Sequence, residues 1–356
     1  TTIGTVTAAI DTTATINGLK TLTGTNAYTI VINSGDASAL ASDLTAIDNA
    51  TSIAIDASAV TNIIGTVSEV QTLYGSSGLS ELGNETINVN GDITVAEANA
   101  IDLLTTETVS ASIASSETVS NLKTLTGNNA YLITIGTSDS TVKASDLNMI
   151  NDLTTATVNA SVVKSIAPDT ASNIKTLLTA GNDTSQFTET SFANLTSVSV
   201  FNATEYLESN ADLKLFYGSD LEGATTHYVN DGRSEGRTDG TKDVSDLNEV
   251  IASANTATGG TSTVLELSLS ATINSGNDTE FNTLLNHEAN GQINITSQNL
   301  TVDSGTISAA TANQLAATTI GTVTAAIDTT ATINGLKTLT GTNAYTIVIN
   351  SGDASA

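Results

Sequence analysis

Two histidines, His227 and His287, stand sixty residues apart in unlike contexts, and cysteine is absent. A lone imidazole with no neighbouring nucleophile or second ligand makes neither a general-base pair nor a metal site. No Gly-x-Ser-x-Gly elbow accompanies the many serines. No glycine-rich phosphate loop stands between a strand and a helix either. Acidic pairs such as Glu97 and Asp102 have no arrangement that favours acid–base work, so the sequence reads as non-enzymatic. The chemistry it does offer is oxygen ligation, with Asp, Asn and Gly clustering at Asn33–Asp36, Asn90–Asp92, Ser138–Asp139, Gly181–Asp183 and Gly276–Asp278. Asp36, Asp92, Asp139, Asp183 and Asp278 are therefore candidate Ca²⁺ ligands, because calcium takes six to eight oxygens that stacked turns can supply. Neither an EF-hand loop nor the Gly-Gly-x-Gly-x-Asp nonapeptide is present, and the same residues are ordinary turn formers.

Residues 201–240 stand apart in composition, holding five of the twelve Phe and Tyr, both arginines and His227. Helical spacing links Tyr206, Leu207, Leu213, Phe216 and Tyr217, then Leu221, Ala224, Tyr228 and Val229. The pattern predicts two short helices ended by Gly218 and Gly232. Tyr206, Phe216, Tyr217, Tyr228, Arg233 and Arg237 are the candidate surface-contact residues, facing a glycan or a neighbouring surface. The other reading is an insertion whose aromatics form its own small core, with Arg233 and Arg237 in exposed ion pairs that contribute little.

The rest of the chain must position these features, and its composition bounds what it can be. Net charge is −27, which disfavours nucleic acid and anionic membrane surfaces as partners. No apolar run approaches the length that spans a bilayer, so membrane insertion is not expected. Hydrophobic residues make up 39%, mostly small and β-branched, and there is one proline, Pro168. That mixture suits a thin core of stacked strands rather than a disordered tract. Without cysteine, an exported chain of this kind relies on repetition and packing.

Repetition is evident at two scales. Residues 318–356 repeat residues 1–39 without a difference, an offset of 317. Such identity points to one period of a longer tandem array plus the start of the next, an arrangement that serves length or multivalency. Segments like Leu19–Leu22 recur at Val70–Leu73, Leu122–Leu125 and Ile174–Leu177, spaced by 51, 52 and 52 residues. Thr5–Val60 aligns without a gap on Thr108–Val163, an offset of 103.

Alternation predicts short strands over Tyr28–Asn33, Ser52–Asp56, Glu85–Asn90, Val109–Ile113, Tyr131–Ile135, Val158–Val162, Val264–Leu269 and Ile293–Thr296. Between them, apolar spacing of three and four predicts short helices over Ala41–Ile47, Val95–Ile101 and Ala144–Ile150. The expected fold is an α/β solenoid of stacked strand–short-helix coils with a parallel sheet, plus the small helical insertion. Solenoid coils fill 1–200 in units of about 52 residues, the insertion 201–240, further coils 241–317, and the next period starts over 318–356. About a dozen coils at a strand spacing of about 4.8 Å advance about 60 Å per period. A string of small β-rich domains would need regular linkers, and the sequence has none.

The phrases ITVAEANAIDLLTTETVSASIA, LKTLTGNNAYLITI and GLSELGNETINVNGDITVAEANAI resemble the giant repetitive cell-surface proteins of marine cyanobacteria, one of which is linked to swimming without flagella. The segment YLESNADLKLFYG…ATTHYVNDGRSEGR is similar to a short module of large secreted bacterial proteins. The resemblance implies an extracellular, cell-surface structural protein, with further copies of itself as the main partner. A multivalent adhesin that uses the insertion is the alternative function.

Overall fold

The structure, a computed structural model, describes residues 4–260 and 263–349. It is α/β: among the described residues fourteen α-helices alternate with short strands, and no sheet closes into a barrel. Every pairing between these strands is parallel. The chain divides into two compact units. One runs through Asp139 and adds Met149–Ala160 and Thr184–Thr188; the other takes Ser140–Asn148, Ser161–Asp183 and the chain from Glu189 onward.

In the first unit a six-stranded sheet runs in chain order through Ser38–Leu40, Asn62–Gly65, Thr86–Ile93, Val109–Ile113, Ala130–Thr134 and Val158–Asn159. Ser38 stands opposite Asn62, Asn62 opposite Thr86, and Ser110 opposite Ala130, so each rung closes one short coil. In the second unit one sheet holds Thr141–Val142, Ser165–Asp169, Ser197–Val200 and Val264–Glu266. Another holds Thr241–Asp243, Thr272–Asn274, Asn299–Thr301, Val323–Ala326 and Ala344–Thr346. A single coil separates Ser165 from its partner Ser197, whereas the whole insertion lies between Ser197 and its next partner, Val264.

Strict alternation makes Val109–Ile113 a strand with Val109, Ala111 and Ile113 buried and the serines between them half-buried. Helices Val67–Tyr74 and Val95–Asp102 open with capping boxes: Thr66 with Glu69, and Thr94 with Glu97. Several coil helices are a single turn, as in Ile16–Leu19 and Val119–Leu122. Such pieces are unstable in isolation, so burial of Ile16, Leu19, Val119 and Leu122 against the strands holds them.

The offset of 103 holds element by element. Helix Ile16–Leu19 matches Val119–Leu122, helix Ala41–Asp48 matches Ala144–Asp152, and strand Asn62–Gly65 matches Ser165–Asp169. A third equivalence, offset by 214, also emerges. Ile93 falls on Ile307, Ala98 on Ala312 and Asn99 on Asn313, so that helix Val95–Asp102 matches helix Ala309–Thr318. The two offsets together make up the full period.

Most predicted elements are present with shifted ends. Ile293–Thr296 is the exception, since only Ile293 bridges, to Leu265. Leaving aside three helices of the insertion, eleven helices stand among the described residues, and ten strand–helix steps separate Ile16–Leu19 from its copy Ile333–Leu336. The 317 residues between the two copies thus hold fewer strand–helix steps than the expected dozen coils, because several steps of the second unit are longer than those of the first.

Candidate functional site

The insertion comprises helices Ala203–Ser209, Ala211–Tyr217 and Leu221–His227, followed by a wide turn over Tyr228–Gly232. This corrects the two-helix reading: Asn210, at φ −129° and ψ 89°, breaks the first run in two. Gly218, at φ 58°, ends the second helix as expected. Tyr206 and Tyr228 are fully buried and pack with Phe201, Leu207, Leu213 and Ala224. Phe201 and Tyr228 stack with centroids 4.1 Å apart, and Tyr206 meets Tyr228 edge-on at 5.3 Å.

These two tyrosines are therefore not surface-contact residues, because the aromatic faces that would bind a ligand are occupied by one another. Burial is the main cause that pushes the Tyr206 phenol up to about 12, with Arg237 opposing it, and its hydroxyl meets His227 Nδ1 at 2.9 Å. Arg233 donates to Glu266 at 3.2 Å and lies 5.7 Å over the Tyr228 ring. Arg237 pairs with Glu235 at 2.5 Å and Asp212 at 2.9 Å. Both guanidinium groups are thus engaged in internal ion pairs. Tyr217 leans on the aromatic cluster, while Phe216 is 80% exposed and its neighbour Leu215 89% exposed. Of the six predicted contacts, Phe216 alone faces outward as a large apolar group. Leu215, beside it, carries no signal in the helical spacing that singles out its neighbours.

At the base of the insertion Asp239 is fully buried and pairs with Lys242, also buried, at 3.2 Å. The Ser268 hydroxyl donates to the same carboxylate. Lys242 further reaches Glu205 at 3.4 Å and the Asp239 carbonyl at 2.9 Å. A cleft of about 300 Å³ opens beside it, lined by Phe201, Asn202, Glu205, Lys242, Asp243 and Asp246. Its one lysine is spent on these internal bonds. Among the lining residues there is no histidine or cysteine to serve as a base or thiolate.

The calcium candidates are dispersed. Asp36 accepts the Ile16 backbone N–H at 2.9 Å, and its repeat counterpart Asp139 accepts that of Val119 at 3.2 Å. Each carboxylate thus caps the helix of the preceding coil, where the positive end of the helix favours it. Glu117 does the same for Val95 at 3.1 Å, and Asp169 for Ser145 at 2.8 Å. Asp278 accepts from Ser308 at 3.2 Å and from Asn282 at 3.0 Å. Asp92 is exposed where the pairing of strand Thr86–Ile93 shifts register, beside Asn88, Ser110 and Ser112. Asp183 is exposed just past helix Ala171–Gly181. Among the described residues no three acidic, histidine or cysteine side chains come together to hold a metal. Asp36, Asp139 and Asp278 do not suit calcium, because oxygens already bound to backbone N–H groups are poorly placed to wrap a cation.

What recurs instead is a set of asparagine contacts between coils. Asn26, Asn129 and Asn343 each accept the backbone N–H of a residue twenty positions earlier, Val6, Val109 and Val323, at 2.9, 2.8 and 2.9 Å. Asn26 and Asn129 also donate to the hydroxyls of Tyr28 and Tyr131, both at 3.1 Å. Asn99 donates to the Thr124 carbonyl at 2.8 Å and Asn313 to that of Thr338 at 2.9 Å. Comparison with protein-family models, curated proteins and solved structures finds no match to this chain.

Proposed function

We propose that this protein is structural: an extracellular, repeat-built α/β solenoid whose 317-residue periods stack in series to make a long cell-surface fibre. The observation that carries this reading is the behaviour of the duplicated segment. Residues 323–346 fold as residues 6–29 do, and they sit on the coil 299–317 through the contacts that join Ile93–Asp102 to Val109–Leu132 inside the chain. A segment whose copies at 109–132 and 323–346 meet the same kind of neighbour is suited to indefinite continuation.

Ten strand–helix steps per period, each adding about one strand spacing of about 4.8 Å, give an axial advance of about 48 Å. Electron microscopy of a chain carrying several periods tests this. Rods with that axial repeat support the solenoid, whereas beads on linkers refute it. Rods unchanged by a calcium chelator are expected, since Asp36, Asp139 and Asp278 are bound to backbone N–H groups and no three acidic side chains gather among the described residues.

A second reading, a multivalent adhesin, is favoured by one observation: Leu215 and Phe216 stand exposed side by side on the insertion. Replacing both with serine leaves filaments intact under either reading, and abolishes attachment to a cell or glycan surface only under the adhesin one.

A further inference from the structure

The chain leaves the insertion and re-enters the sheet through a short turn, Asp239-Gly240-Thr241-Lys242, with Lys242 already on strand Thr241–Asp243. Both charged side chains of this turn are buried, Asp239 at 0% exposure and Lys242 at 5%. The two oxygens of the Asp239 carboxylate are held differently. Oδ1 accepts the hydroxyl of Ser268, which is itself buried. Oδ2 accepts no hydrogen bond among the described residues, yet Lys242 Nζ lies 3.2 Å from it. Glu205, half-buried on helix Ala203–Ser209, brings its Oε2 to 3.4 Å from the same nitrogen. Gly240 permits that approach: it turns the chain at φ 93°, and a Cβ there would stand 2.9 Å from Glu205 Cβ.

An amine, a carboxyl group with one oxygen unengaged and a second carboxylate are the parts of a condensation. Reacting groups held about 3 to 3.5 Å apart gain the advantage of an intramolecular reaction. In water the ions would be favoured over the amide. Here burial penalises both ions, whereas the amide is neutral.

We propose that Lys242 and Asp239 join in an isopeptide bond, formed by the folded chain itself with loss of one water. Glu205 takes a proton from the Lys242 ammonium and passes it to Asp239 Oδ2. The freed amine attacks Asp239 Cγ, and the Ser268 hydroxyl stabilises the negative charge that gathers on Oδ1. Glu205 then carries a second proton from the nitrogen to Oδ2. The Cγ–Oδ2 bond breaks, Oδ2 departs as water, and the new Nζ–Cγ bond remains as an amide. Glu205 ends as the carboxylate it began as, and nothing is oxidised or reduced. The product is a small covalent ring that staples the exit of the insertion in a chain without cysteine. It is independent of the stacking reading above.

The test is the intact mass of the unaltered, folded full chain, which is expected to fall short of its sequence mass by one water. After denaturation, trypsin is expected not to cut at Lys242, so that residues 238–337 come off as one peptide, lighter by that water. Succinimide formation at Asp239–Gly240 loses a water too, but it leaves Lys242 open to cleavage. K242R and E205Q, each checked for folding by circular dichroism, are expected to keep their full sequence mass.

Full sequence mass in the folded, unaltered chain would overturn the proposal. So would complete cleavage after Lys242, or a water loss that survives K242R. A water loss undiminished in E205Q would overturn the assignment of Glu205 as the proton carrier.

Discussion

Thr126 is tied twice to Asn99, the residue that stands one coil before it: its backbone N–H and its hydroxyl both donate to Asn99 Oδ1, at 2.9 and 3.2 Å. The amide of Asn99 completes the clamp by donating to the Thr124 carbonyl. The same three bonds recur in the second unit between Asn313, Thr338 and Thr340. One side chain thus satisfies two backbone groups of the adjacent coil, where a turn would otherwise leave them to water.

Removing that side chain should loosen the joint measurably. N99A is expected to lower unfolding stability by about 1 to 2 kcal/mol, because three bonds go and two backbone groups lose their partner. N99D keeps the acceptor and loses the donor, so it should fall between the two. Urea denaturation followed by circular dichroism reads both, and equal stability of all three proteins would show that the clamp is only decorative.

Acid should weaken the fold through its helix caps. Glu69 and Glu97 lie below their ordinary value of 4.5, chiefly because the backbone N–H groups of Thr66 and Thr94 donate to them. A carboxylate depressed in the folded state stabilises above its unfolded pKa and loses that contribution as pH falls through the folded one. The melting temperature should therefore hold above about pH 5 and decline as the pH drops below about 4. E69Q with E97Q should flatten that decline.

Alkali acts through tyrosine, with the opposite sense. Burial, reinforced by the Asp102 carboxylate, pushes Tyr131 up to about 12, and burial does the same to Tyr206. A phenol raised in the folded state stabilises below its unfolded value near 10 and is lost as pH climbs through the folded one. Spectrophotometric titration should show Tyr131 and Tyr206 in a late group near 12 that ionises together with unfolding. Y131F should shrink the late group by one tyrosine.

The buried pair beneath the insertion should be intolerant of half removal. K242M leaves the Asp239 carboxylate without its cation in a fully buried site and is expected to cost about 3 to 5 kcal/mol. The double variant D239N/K242M should recover most of the loss. A double variant as unstable as K242M would show that packing, rather than charge, governs the site.

Much of this architecture is legible because repeats and alternation are carried by many residues at once. Val109–Ile113 reads as a strand to the residue, since its polar and apolar positions alternate without a fault. The offset of 103 places helix Val119–Leu122 once Ile16–Leu19 is known. Single-residue roles are not legible in the same way. Asn26, Asn129 and Asn343 look like turn residues, yet each stands two before a tyrosine and twenty after a valine, the one signal of their shared contact. Asp36 and Asp139 look like ligands because only the fold shows that a carboxylate in one coil lies over the N-terminus of the preceding helix. Tyr206 and Tyr228 carry no mark of burial, because helical spacing alone does not say which face turns inward. The equivalence of Val95–Asp102 with Ala309–Thr318 is hidden by divergence, with Ile307, Ala312, Asn313 and Val323 among the few residues kept.

The offsets of 103 and 214 have a consequence for how such a gene can change. An in-frame loss of 103 codons that joins the sequence before Thr5 to the sequence from Thr108 leaves every later coil in phase. A gain of 214 does the same, because Val95–Asp102 and Ala309–Thr318 present the same clamp to the coil after them. Unequal crossing-over, which ruins an ordinary domain, here only edits length. The size of the finished structure is thus a quantity that a lineage can adjust in whole coils, without inventing a new joint.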